Sequence, residues 1–129
     1  MNRVIAPSTI APPAANYAHA VLSEHARQIL HVSGVVAVRP DGTIPDEVAD
    51  QAAVIWFNIG SILADAEMTV ADIVSITTYV VVDFMACLPE VMGARDAALG
   101  GHLAASTLVT VPALARPAWK MEVAVVAVR

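Results

Sequence analysis

The chain has 129 residues, enough for one domain that buries roughly two-thirds of the surface its unfolded form exposes. Its apolar fraction is 57% and its charged fraction 15%, against about 45–50% and about 25% in a typical soluble domain, and the surplus is mainly Ala and Val. A formal charge of −5, with seven Lys and Arg scattered through the sequence, excludes the clustered cations that phosphate recognition requires, so nucleic acid is not an expected partner.

The first residues hold no apolar stretch of signal-peptide length, which makes the cytoplasm the expected compartment. Residues 7–16 contain Pro7, Pro12 and Pro13 and read as a connection. Short strands are expected over 17–22 and 28–33, separated by the polar stretch 23–27. Gly34 then offers either unusual backbone angles or a place where another group approaches the main chain. Pro40-Asp41-Gly42 is a turn signal, with Pro fixing one torsion and Gly relieving the left-handed position.

The spacing of Val48, Ala52, Ile55, Ile59, Ile62 and Ala66 predicts a helix over 47–66, with Pro45 before it and Asp46 placed to cap it. Gly60 inside that helix costs about 1 kcal/mol relative to Ala, tolerable if a strand packs close. Thr69-Val70-Ala71-Asp72 has the form of a capping box. A β-branched strand follows over 73–82. Ser75, Thr77 and Thr78 interrupt it, and no run in the chain reaches the ~18 apolar residues of a membrane span, so no membrane partner is expected. A second helix is predicted over 85–99, with Pro89 in its first turn, Leu88, Val91, Met92, Arg95 and Leu99 along one side, and Gly100-Gly101 at its end. Cys87 is the one cysteine, which excludes an intrachain disulfide and suits a reducing compartment. Two final strands, 103–111 and 118–128, are joined by 112–117. The order β-β-α-β-α-β-β predicts a single two-layer α+β domain over residues 1–129, with two helices on one face of a mixed sheet. Its uncovered face is the expected seat of a partner subunit, which would absorb the apolar surplus.

Chemistry is sparse. His19, His25, His31 and His102 form no metal-ligand spacing, so no metal is expected. Cys87 has no base nearby in sequence and reads as a packing residue. No P-loop, dinucleotide fingerprint or Gly-x-Ser-x-Gly occurs, and no cofactor is expected. Between 97 and 128 the only charged groups are Arg116, Lys120 and Glu122. Arg116 is either a solvated loop cation or a carboxylate anchor. Ser106 and Thr107 either satisfy one another across a strand pair or line a pocket. Lys120 and Glu122 share strand parity, opposite Trp119 and Met121.

Taken together, the segments resemble the RidA family (YjgF, or Rid superfamily, formerly endoribonuclease L-PSP-like) over nearly the whole chain. Ala15-Asn16-Tyr17-Ala18-His19-Ala20 resembles the family's Gly-Pro-Tyr-Ser-Gln-Ala, and Ile29-Leu30-His31-Val32-Ser33-Gly34 its Val-Phe-Val-Ser-Gly. Thr69-Val70-Ala71-Asp72-Ile73-Val74 leading into Thr77-Thr78-Tyr79-Val80, then Ala104-Ala105-Ser106-Thr107 and Glu122-Val123-Ala124-Val125, complete the pattern. The resemblance implies a chorismate-mutase-like fold, a homotrimer, and small-molecule sites in clefts between subunits. It also implies water addition to imines or enamines such as those derived from 2-aminoacrylate.

Carried over by position, the family's tyrosine falls on Tyr17 and its Ser-Gly pair on Ser33 and Gly34. Its carboxylate-binding arginine falls on Ala105, its water-associated glutamate on Lys120, its following glutamate on Glu122, and its helix asparagine near Pro89. Losing the arginine removes the fork that holds a substrate carboxylate, so the usual 2-aminoacrylate-type reaction is not expected. Two readings stay open. One is a divergent imine or enamine deaminase in which Tyr17 and Lys120 act, with Ser33, Gly34, Ala105, Ser106, Thr107, Arg116 and Glu122 around the ligand. The other is a non-catalytic trimeric metabolite-binding or regulatory protein.

Overall fold

The computed structural model describes residues 1–129 and has the expected two layers. Strand β1 (Asn2–Ile5) pairs antiparallel with β2 (Ala20–Ser23) as a separate two-stranded sheet. Then come β3 (Ile29–Val35), helix α1 (Val48–Asp65), β4 (Ile73–Val81), helix α2 (Leu88–Leu99), β5 (Ala105–Val111) and β6 (Met121–Val128). The main sheet has the order β3-β6-β4-β5, antiparallel except for the parallel β4–β5 pair. The fold is thus the mixed α+β architecture read from the sequence, with one strand more: β1 is only four residues long, too short for a periodic signal. No helix is long and apolar enough to cross a membrane.

Local chemistry explains most boundaries. Asp41 Oδ1 accepts from the Thr43 N–H (3.0 Å) and hydroxyl (2.7 Å), closing the turn at Gly42, whose φ is +84°. The Thr69–Asp72 capping box forms, opening the short 3-10 turn Val70–Asp72 that leads into β4. Pro89 lies in the first turn of α2, and Gly100 ends that helix in the left-handed conformation. Two local expectations are corrected. Asp46 does not cap α1: Glu47 holds that position, without a side-chain bond. Its first turn is secured instead by Gln51, which is fully buried, donates to Pro45 O (2.8 Å) and Ala118 O (2.9 Å), and accepts from the Lys120 N–H (3.0 Å). Gly60 meets no packed strand, since nothing lies within 4 Å of where its Cβ would be.

The core lies between the helices and one face of the sheet. It joins Ile55, Trp56, Ile59 and Leu63 of α1 and Val91 and Leu99 of α2 to Ile76, Val80, Met121, Val123 and Val125 of the strands. Strand alternation sends Ser75, Thr77 and Tyr79 of β4 and Glu122, Ala124 and Val126 of β6 to the opposite, uncovered face. Ile29 and Val109 on that face are 59% and 40% exposed.

Candidate functional site

The sequence places β5 and β6 next to one another in the chain, but β4 lies between them in the sheet. That interposition decides which candidate residues meet. Glu122 lies opposite Tyr79 on one side; on the other side of β6 the β3–β6 ladder breaks opposite Ala124, two residues along, jumping from Val32↔Val125 to Val35↔Val123. Ser33 and Gly34 occupy the jump as a bulge. The Glu122 side chain lies directly against Gly34: a Cβ there would sit 2.6 Å from Glu122 Oε2 and 2.8 Å from its Cγ. Glycine at 34 thus makes room for the Glu122 side chain, which a methyl group would displace, and its role here is close approach rather than backbone angle. Ser33, Gly34 and Glu122 form one half of the site, a carboxylate on the open face beside backbone that the ladder does not use.

Tyr17 and Ala105 form a second half. The segment before β2 runs along the start of β5, where Ala18 bridges Ala105 and the Ala18 N–H donates to Ala104 O (2.9 Å). Tyr17 therefore lies next to the buried Ala18, outside the strand expected over 17–22. Its ring meets His19 edge-on at 6.0 Å, its hydroxyl accepts from the Ala14 N–H (3.3 Å), and His19 Nε2 lies 2.8 Å from Ala11 O. Thr107 shares the open face with Ala105, opposite Thr77, whereas Ser106 pairs with the buried Ile76 and turns toward the helices. The two do not satisfy one another. Along the strands, Ala105 is level with Ser75 and Glu122 with Tyr79, a separation of four residues or about 13 Å.

The two cations lie beyond the far end of β5. Lys120 precedes β6, donates its amine to Asp46 O and holds it 4.9 Å above the Phe84 ring. Arg116 lies 5.5 Å from the Trp119 ring in the β5–β6 connection. Arg116 lines a cavity of about 490 Å³ with Val81, Asp83, Phe84, Leu114 and Trp119, while Lys120 reaches only the Phe84 ring that forms part of its wall. The Trp119 Nε1 is buried there without a hydrogen-bond partner. The polar group on the open face near Ser33–Gly34 is thus Glu122, while Lys120, just before the same strand, is turned to the N-terminus of α1 and Arg116 to an indole.

His102 Nε2 lies 2.7 Å from Ile73 O, a structural bond. What the sequence reading missed is a polar chain beside Tyr17: Asn16, Asp96 and the buried Arg95. An arginine on the apolar side of a predicted helix was the available signal.

Residues 8–129 match the family described as Endoribonuclease L-PSP. The chain belongs to that family. Over 99% of its length and 98% of the other chain it is similar to YyfB of Yersinia pestis, a Rid-family protein of unknown function, at 30% identity and a TM-score of 0.90. The YjgF gene product of E. coli is 27% identical over 98% of each chain, with a TM-score of 0.72. Rv2704 of Mycobacterium tuberculosis, of the YjgF/YER057c/UK114 family, is 25% identical over 90% of this chain and 89% of its own, with a TM-score of 0.69. No curated protein matches in sequence. The fold of this Rid-family chain follows YyfB more closely than it follows YjgF or Rv2704.

Proposed function

We propose that this Rid-family protein is a divergent imine or enamine deaminase acting in clefts between the subunits of a homotrimer. The observation that carries the reading is Glu122, whose carboxylate lies on the uncovered face against the Ser33–Gly34 bulge. Glu122 is the only charged residue in the four strands of the main sheet, and a carboxylate is costly to bury in an interface unless it has a task. Here the task is general-base chemistry. Glu122 takes a proton from water as the water oxygen bonds to the imine carbon, and the proton passes to nitrogen. The carbinolamine then collapses: its hydroxyl proton passes by way of Glu122 to nitrogen as the carbon–nitrogen bond breaks, leaving a carbonyl and ammonia. Tyr17 orients the substrate, and the unpaired bulge offers backbone groups to it. Geometry favours Glu122 over Lys120 as the base, because the lysine amine is engaged with Asp46 O and Phe84.

Within one chain the Tyr17 and Glu122 halves stand well apart, which supports a second copy closing the site. The uncovered face, with Ile29, Val109, Val126 and Ala124, is the surface for that copy. Ala105 supplies no cation, and Arg116 and Lys120 lie at the other end of β5, so substrates lacking a carboxylate are preferred over 2-aminoacrylate-type imines. The net charge of −5 gives no support to ribonuclease action on this chain.

The test is ammonia release from a panel of charged and neutral imines, generated in place by an amino-acid oxidase. Wild type should exceed the buffer rate with neutral imines, and Glu122→Gln should lower that rate at least tenfold. The engagement of both cations elsewhere favours one rival, a trimer that binds a metabolite without turnover. Ligand-induced thermal shifts with no ammonia release would establish it.

A further inference from the structure

Arg95 is one of only three polar or charged residues in the buried set, at 5% exposure, and nothing in the proposed reaction uses it. Successive helix residues normally point apart. Arg95 nonetheless wraps toward its neighbour, and its Nε and Nη2 donate to Asp96 Oδ1 at 3.1 and 2.9 Å. The second carboxylate oxygen, Oδ2, accepts from Asn16 Nδ2 at 2.9 Å, across 80 residues of sequence. Asn16 immediately precedes Tyr17, and Ala18 on the other side is fixed to β5 through Ala104 O.

We propose that Arg95 and Asp96 are a positioning pair that holds Tyr17 over the start of β5 by clamping Asn16. This inference rests on the reading of Tyr17 as substrate-orienting and assigns its geometry to residues outside the site. Three features support it. A buried guanidinium demands a fixed anion, so Asp96 is held in place from the core outward. Only a carboxylate can accept on both sides at once, because an amide has a single acceptor oxygen. Packing does not do the same work: Asn16 and Asp96 border a cavity of about 220 Å³ with Leu99, Gly101, His102 and Leu103, leaving room for the segment to shift. The rest of that segment is mostly exposed and proline-rich.

Asn16→Ala is the informative variant, since it cuts the clamp while leaving the Arg95–Asp96 pair intact. In the full-length protein, hydrogen exchange at the Tyr17 and Ala18 amides should accelerate roughly tenfold or more, with exchange in β4 and β6 unchanged. The melting temperature should stay within about 2 °C of wild type. Asp96→Asn should accelerate the same amides. In the ammonia-release assay, Asn16→Ala should lower kcat/KM in the wild-type background and have no further effect in Tyr17→Phe, as expected of a residue acting through Tyr17. Unchanged exchange at Tyr17 and Ala18 in both variants, or equal kcat/KM losses in both backgrounds, would overturn the clamp. If exchange accelerates and wild type releases no ammonia, the clamp stands as the device that fixes this segment and the deaminase reading falls.

Discussion

Gly34 and Asp96 show how much a single residue settles in this protein. At Gly34 the requirement is space: a methyl group would collide with the Glu122 carboxylate. Gly34→Ala should therefore push Glu122 off its rotamer, costing about 0.5–1.5 kcal/mol in a denaturation curve, while ammonia release falls at least tenfold. Asp96 is governed by charge. Burial works against its ionisation, but the Asn16 hydrogen bond and the Arg95 guanidinium outweigh burial and hold its carboxyl below the ordinary 3.8. A depressed carboxyl pKa contributes stability that is fully present above the unfolded-state value and is lost as pH falls through the folded one. Exchange at Tyr17 and Ala18 should therefore be independent of this group near neutrality and, corrected for intrinsic chemistry, rise only below about pH 4.

At the scale of elements, α1 depends on one buried side chain and tolerates an unneeded glycine. Gln51 ties the helix start to the segment entering β6 through three hydrogen bonds. Gln51→Leu leaves Pro45 O, Ala118 O and the Lys120 N–H without that partner, and should lower stability by about 2–4 kcal/mol in urea titration. Gly60→Ala has the opposite sign: with open space around the Cβ it should raise stability by about 0.5–1 kcal/mol. Elements were largely legible in the sequence because their signals are local. The α1 periodicity, the Thr69–Asp72 box, Pro89 and Gly100 all act within one or two turns of chain. The Asp46 cap failed for the complementary reason, since Gln51 does that work through partners as far as 69 residues away.

For the molecule as a whole, the apolar surplus and the uncovered sheet face point the same way. The proposed homotrimer should run in native mass spectrometry at about three times the 13.5 kDa chain mass. Val126→Asp, a charge at the middle of the uncovered face, should shift it to monomer and abolish ammonia release together, because each cleft then lacks its second wall. A monomeric wild type, or a monomeric variant that keeps full activity, would refute the shared cleft.

The sequence by itself determined the layers, most element boundaries, the family resemblance and the want of a cation at Ala105, all of which depend on residue type and short-range order. Only the tertiary structure decided which residues meet. It inserted β4 between β5 and β6, set Glu122 against Gly34, turned Lys120 and Arg116 toward other groups, and joined Arg95 and Asp96 to Asn16. The physical reason is that parity along a strand specifies a face but not a neighbour. Pairing order, a two-residue bulge and hydrogen bonds across 80 residues come from packing the whole chain at once.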